Sequence, residues 1–197
     1  YVEVYEDPSA SLTVSEVNEK YEHGRFFRPE NGRLSFGLSS SNYWFRVKIE
    51  SETDGGSPLF LELKNPLLNE AHLFRFDDEV GHKFESVSRL ADQRMQVFIL
   101  EPTTNKTDVY YLEVSSLGPV RVPLVLSSIA QYHAQQMIDY LILGLFYGIC
   151  FGLGVFNLFL YFSTRAKSYL AYVWFVGSAA SYNLVADGIA DLSVSEA

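Results

Sequence analysis

The chain has 197 residues, with 24 acidic side chains against 15 basic ones and a formal net charge of −9. No Lys/Arg-rich stretch could neutralise a run of phosphates, which excludes nucleic acid as a partner. A single cysteine, Cys150, excludes a disulfide framework.

Charge divides the chain in two. Residues 1–138 hold 13 of the 15 basic and 20 of the 24 acidic side chains, a net −7, as a soluble domain would. Residues 140–186 hold only two charges, Arg165 and Lys167. The sequence opens on strand-like residues and ends just past an apolar run, so a removed leader before Tyr1 and further sequence after Ala197 are expected.

In the first part, short runs alternate apolar and polar residues, the signature of half-buried strands. They lie at 1–6, 33–39, 42–50, 58–64, 70–77, 94–100, 107–115 and 121–127. Turn signals separate them at 30–32, 54–58, 77–81, 102–105 and 118–119. A short helix is expected at 14–21, and another at 129–138 that runs on into the apolar part. This pattern predicts a mainly β fold, a jelly-roll β-sandwich over 1–128, followed by a connector helix and an α-helical transmembrane hairpin.

Alternation also sorts faces. Tyr43, Phe45, Val47 and Ile49 oppose Trp44, Arg46, Lys48 and Glu50. Leu59, Leu61 and Leu63 oppose Phe60, Glu62 and Lys64. Tyr110, Leu112 and Val114 oppose Tyr111 and Glu113. In 70–77, His72, Phe74 and Phe76 oppose Leu73, Arg75 and Asp77. Were these strands in one sheet, its outer face would carry Trp44 and Tyr111 among Arg46, Glu62, Arg75 and Glu113. An aromatic platform ringed by charged hydrogen-bonding groups suits a carbohydrate-like or other polar small molecule. The competing reading is a solvated face with cross-strand ion pairs, its tryptophan covered by a loop or by the 14–21 helix.

The second part begins with an uncharged run at 140–164. As a helix it would span about 36 Å, enough for a hydrocarbon core of about 30 Å. A second run at 168–186 follows the polar link 163–167, so transmembrane helices are expected at 139–164 and 168–187. Arg165 and Lys167 place that link in the cytoplasm by the positive-inside rule, and residues 1–138 outside. Asp139, Asp187, Asp191 and Glu196 then fall on the outer side. Tyr140, Tyr161, Phe162, Tyr169 and Tyr172 sit at the expected interfaces. Gly144, Gly148 and Gly152 recur every fourth residue, a spacing that permits close helix packing, either against the small residues 177–181 or against further helices. Asn157 is expected to bond between helices.

No catalytic signature is present: no G-x-S-x-G, H-E-x-x-H, P-loop or dinucleotide fingerprint. His23, His72, His82 and His133 lack metal spacing. Asp77, Asp78 and Glu79 read as a charged turn rather than a calcium site. Asn105-Lys106-Thr107 matches the glycosylation pattern only as a chance triplet would. Neither a cofactor nor a metal is expected.

The order of features resembles the bacterial seven-transmembrane receptors with diverse intracellular signalling modules, in the branch with the type-2 extracellular domain. The resemblance rests on Tyr5-Glu6-Asp7-Pro8 with Leu12-Thr13, Phe36-Gly37, Tyr43-Trp44-Phe45-Arg46 and Tyr110-Tyr111-Leu112-Glu113-Val114. It continues in Tyr147-Gly148, Asn157-Leu158-Phe159-Leu160 and Tyr169-Leu170-Ala171-Tyr172. It implies a sensor related to carbohydrate-binding domains in the bacterial cytoplasmic membrane. It also implies a cytoplasmic output absent from this sequence, commonly a diguanylate cyclase or histidine kinase. Expected partners are a carbohydrate-like ligand, the membrane and a second copy in a homodimer. The rival readings are a membrane-tethered module for a periplasmic protein or cell-wall glycan, and an extracytoplasmic enzyme.

Overall fold

The computed structural model describes residues 1–29, 34–50, 57–65, 68, 70–77, 83–90, 93–103, 106–115 and 118–187. Most of the turn signals, His82, Asp78, Glu79, Asn105, Asp191 and Glu196 lie outside them. The chain forms two compact units, Tyr1–Ile129 and Ala130–Ala197.

Among the described residues the first unit holds ten strands and one helix: β1 (Val2–Asp7), α1 (Val14–Glu22), β2 (Ser35–Leu38), β3 (Asn42–Glu50), β4 (Leu59–Leu63), β5 (Glu70–Asp77), β6 (Lys83–Val87), β7 (Gln96–Leu100), β8 (Thr107–Ser115), β9 (Pro119–Arg121) and β10 (Leu124–Ser128). A five-stranded sheet runs β1-β3-β8-β5-β6, a three-stranded sheet β10-β4-β7, and β2 pairs with β9. All pairings are antiparallel. From β3 to β8 the chain repeatedly crosses between the two larger sheets, as a jelly roll does.

The alternating residues of β3 explain the core. Tyr43, Phe45, Val47 and Ile49 are buried together with Leu61, Leu63, Phe98 and Leu100 from the three-stranded sheet. Tyr110, Leu112 and Val114 of β8 and Leu73 of β5 join them. Each such side chain contributes roughly 1.5–3 kcal/mol by leaving water.

Two elements differ from the sequence reading. The strand expected at 121–127 is split into β9 and β10 at Val122-Pro123, because Pro123 has no N–H to donate and the chain changes partner there, from β2 to β4. β6 was not expected. It is an edge strand whose Lys83, Glu85 and Ser86 are exposed, so it shows little apolar pattern.

Helix α1 begins with a capping box. The Glu16 amide donates to Thr13 Oγ1 at 3.4 Å and the Thr13 amide donates to Glu16 Oε2 at 2.8 Å. It ends at His23, followed by Gly24 at φ 67°, with the Gly24 and Arg25 amides returning to the Tyr21 and Lys20 carbonyls. That left-handed turn is a Schellman stop, which glycine makes without strain.

The second unit is a hairpin of α2 (Ile129–Thr164) and α3 (Lys167–Ala186). The connector and first apolar run therefore form one unbroken helix of 36 residues. Arg165, at φ 60°, closes it by donating its amide to the Tyr161 carbonyl at 2.8 Å. α2 is the one helix among the described residues long and apolar enough to cross a membrane by length and composition. The 20-residue α3 is diluted by Ser178, Ser181, Asn183 and its tyrosines.

Candidate functional site

The pairing register fixes what the outer face of the five-stranded sheet carries. Trp44 lies opposite Tyr5 on β1 and Glu113 on β8, and Arg46 lies opposite Glu3 and Tyr111. On β5, His72 and Phe74 lie opposite Glu113 and Tyr111. Four of the six residues expected to share a face, Trp44, Arg46, Tyr111 and Glu113, do so.

Glu62 and Arg75 do not. Glu62 belongs to β4 in the other sheet, where it pairs in register with Val97 and Val125. Arg75 lies opposite Tyr110, so it points to the inner side, at the end of the core. There its Nη2 donates to Asp108 Oδ1 at 2.7 Å and to Thr103 Oγ1 at 2.6 Å. Both faces of β5 carry aromatic or aliphatic residues, so alternation alone assigns its faces poorly.

The outer face is not an open platform. Val17 of α1 is fully buried against Trp44 and Tyr111, with Tyr5, Leu12, Val14, Phe26, Phe74, Phe76 and Phe84 around them. Trp44 is 1% exposed and Tyr111 0%. The helix is seated by two polar contacts as well. Tyr111 Oη donates to Asn18 Oδ1 at 2.6 Å, and the Arg46 guanidinium sits 3.7 Å above the Tyr21 ring. Arg46 Nε donates to Tyr111 Oη at 3.0 Å, and its Nη1 reaches Glu3 Oε2 at 3.5 Å. The buried guanidinium is thus held by one carboxylate, one phenol and one ring face.

Trp44 Nε1 is buried and finds no acceptor among the described residues. Buried donors are nearly always paired, which sets this N–H apart from the rest of the cluster. Glu113 accepts from Asn42 Nδ2 at 2.8 Å. Burial pushes the Glu113 carboxyl above its usual range, against the opposing pull of Asn42 and His72. Burial likewise raises the Tyr111 phenol, opposed by Arg46. Sequence alternation found these side chains, and of the two readings it left open the cover of Trp44 by the 14–21 helix is the one the structure shows.

In the hairpin, an extra Cβ at Gly144, Gly148 or Gly152 would meet nothing within 4 Å, so these glycines do not pack against α3 here. The Asn157 amide donates to the Leu153 carbonyl of its own helix at 2.8 Å instead of bonding across helices. Cys150, Gly154, Leu158, Val173, Gly177 and Ala180 line a cavity between α2 and α3, and an added Cβ at Gly154 or Gly177 likewise meets nothing within 4 Å. Among the described residues no three His, Cys, Asp or Glu side chains cluster as metal ligands.

Residues 1–128 match the family model described as 7TMR-DISM extracellular 2, and residues 139–194 match that described as 7TM diverse intracellular signalling. The chain belongs to this receptor family. It is the extracellular sensor domain and part of the seven-transmembrane region of a signal-transduction receptor. The first part is the sensory one and the second the transmembrane one. No curated protein matches the chain.

Proposed function

We propose that the receptor senses a polar small molecule, of the carbohydrate class, on the outer face of the five-stranded sheet, and that Trp44, Arg46, Tyr111 and Glu113 contact it once α1 lifts. The observation that carries this reading is the buried Trp44 N–H without an acceptor, one residue pair from a buried arginine on the same face. A ligand hydroxyl or carboxylate would satisfy both, and the ring would stack on C–H groups.

Lifting α1 is feasible because Val17 is its only fully buried side chain. Short elements with few buried contacts open at low free-energy cost. The ligand shifts the receptor only as far as it prefers the lifted arrangement over the seated one. The unbroken α2, which starts directly after β10, is the route by which the change would reach the membrane region.

The intact receptor in this proposal lies in the bacterial cytoplasmic membrane with residues 1–138 outside. α3 is its second span, and Arg165 and Lys167 lie in the cytoplasm. A cytoplasmic output module, a diguanylate cyclase or histidine kinase, receives the signal.

The test is a thermal-shift screen against neutral sugars, uronic acids and polar metabolites, repeated with Trp44→Phe. Phenylalanine keeps the packed ring and removes only the unpaired donor, so the unliganded protein should melt within a few degrees of the parent. A ligand that raises the melting temperature of the parent, and raises it less in the variant, supports the site. A hit indifferent to Trp44→Phe places binding elsewhere.

A further inference from the structure

One end of the same sheet face is not under α1. The residues Tyr1, Arg28, Lys48 and Glu50 enclose a pocket of about 480 Å³ there. Lys48 and Glu50 continue the β3 row of Trp44 and Arg46, and the Lys48 amide donates to the Tyr1 carbonyl at 3.0 Å. Arg28 is brought in by Phe27, whose backbone makes two bonds of 2.9 Å with Val4 at the β1 edge. Its guanidinium lies 3.9 Å above the Tyr1 ring, and its Nε donates to Tyr1 Oη at 2.7 Å. Tyr1 Oη donates onward to Glu3 at 2.7 Å. Lys48 Nζ is 5.7 Å from the centre of the same ring.

The charges are arranged unusually for a surface. Among the described residues neither Arg28 nor Lys48 has a carboxylate within 4.0 Å, although the domain is acidic and other cations on it, Arg46 and Arg75, are paired. Glu50 shares the pocket without pairing to Lys48. Two cations without a carboxylate partner among the described residues, facing one cavity with a tyrosine ring as its wall, form a focus for negative charge.

We infer that this pocket binds the carboxylate of a small monocarboxylate that also carries hydroxyl or ammonium donors. Arg28 and Lys48 take the carboxylate, Glu50 accepts from the donors, and the Tyr1 ring packs on the ligand's C–H surface. The volume falls within the range of about 300–1,000 Å³ usual for small-ligand sites. Glu50 disfavours inorganic phosphate, which carries more negative charge and offers fewer donors. A uronic acid and an α-amino acid share this chemistry. The inference builds on the sensor reading but needs no movement of α1.

Isothermal titration calorimetry on the full 197-residue chain in detergent or nanodiscs tests it, with glucuronate, glucose, serine and phosphate as probes. Binding of glucuronate or serine, whichever it is, should weaken about tenfold in Lys48→Met and in Arg28→Met, as loss of a charge-assisted bond does. Glucose, which matches glucuronate without its carboxylate, should bind weakly or not at all. Glu50→Gln should improve phosphate relative to the two carboxylates. Circular dichroism controls for folding, and the two variants, one on β3 and one outside the strands, check each other. Failure of both carboxylates to bind, or equal binding by parent and both variants, overturns the inference. Glucose binding that responds to Trp44→Phe, together with carboxylate binding indifferent to Lys48→Met and Arg28→Met, overturns it while leaving the sensor reading intact.

Discussion

Arg46 Nε donates to the Tyr111 hydroxyl at 3.0 Å, and that hydroxyl in turn donates to Asn18 Oδ1 on α1 at 2.6 Å. One phenol therefore joins a buried cation to the helix that covers it. Tyr111→Phe removes both bonds and leaves the Asn18 oxygen and an Arg46 N–H short of partners. The expected cost is about 1–3 kcal/mol in denaturant unfolding. Faster hydrogen exchange confined to residues 14–22 should accompany it, since the helix loses its polar anchor.

Asp7 is 1% exposed and accepts bonds from the Ser9 hydroxyl and from the amides of Ser9, Ser11 and Leu12. Burial pushes its carboxyl up, but those bonds together outweigh burial and hold it below the ordinary value of 3.8. A lowered folded-state pKa means that the carboxylate stabilises the fold above the unfolded value. That contribution is lost as pH falls below about 3.8 and through the lower folded value. Asp7→Asn should therefore be less stable than the parent at neutral pH, by about 1–3 kcal/mol. Thermal melts from pH 7 to pH 2 should show the difference shrinking only in the acid range.

Arg75 and Asp108 pair at 2.7 Å at the inner end of the core, away from the Trp44 face. Arg75 is about one-third exposed, which tempers the pair's strength through solvent screening. Arg75→Met should lower stability by about 1–3 kcal/mol, chiefly by leaving the buried Asp108 carboxylate with only Thr103. The affinity for any ligand whose binding depends on Trp44 should not change.

The topology proposal is checked with cysteine labelling. Cys150 is the sole cysteine, so Cys150→Ser gives a clean background. A cysteine introduced by Thr164→Cys, beside Arg165 and Lys167, should react with a membrane-impermeant maleimide only after the cytoplasmic membrane is permeabilised. Labelling of intact spheroplasts would reverse the orientation.

Much of the fold was legible because β3 and β8 each have one face in the main core, and their alternating residues match it position by position. The short helix at 14–21 and the uncharged run of α2 were equally direct. Three things were not. β5 is apolar on both sides because one face meets the main core and the other the α1 cluster, which removed the contrast that would have turned Arg75 inward. Glu62 looked like a neighbour of Trp44 because periodicity gives a strand's faces but not its sheet. Cover of Trp44 by the 14–21 helix stood in the sequence only as one of two alternatives, because the contact joins residues far apart in the chain. The Tyr1–Arg28–Lys48–Glu50 pocket escaped notice for the same reason, since it joins a strand lead-in, a loop and the far end of β3.

The most direct test of the sensor account uses Trp44 as its own reporter. The chain has two tryptophans, so Trp174→Phe leaves Trp44 as the only indole. Its emission is then titrated with each ligand of the sugar, uronic-acid and polar-metabolite panel. The account predicts blue emission from the buried ring without ligand, and a saturable change with at least one ligand that Tyr111→Phe or Arg46→Gln alters. A folded protein whose Trp44 emission stays constant across the panel, while calorimetry registers ligand binding, would contradict the claim that this face receives the ligand.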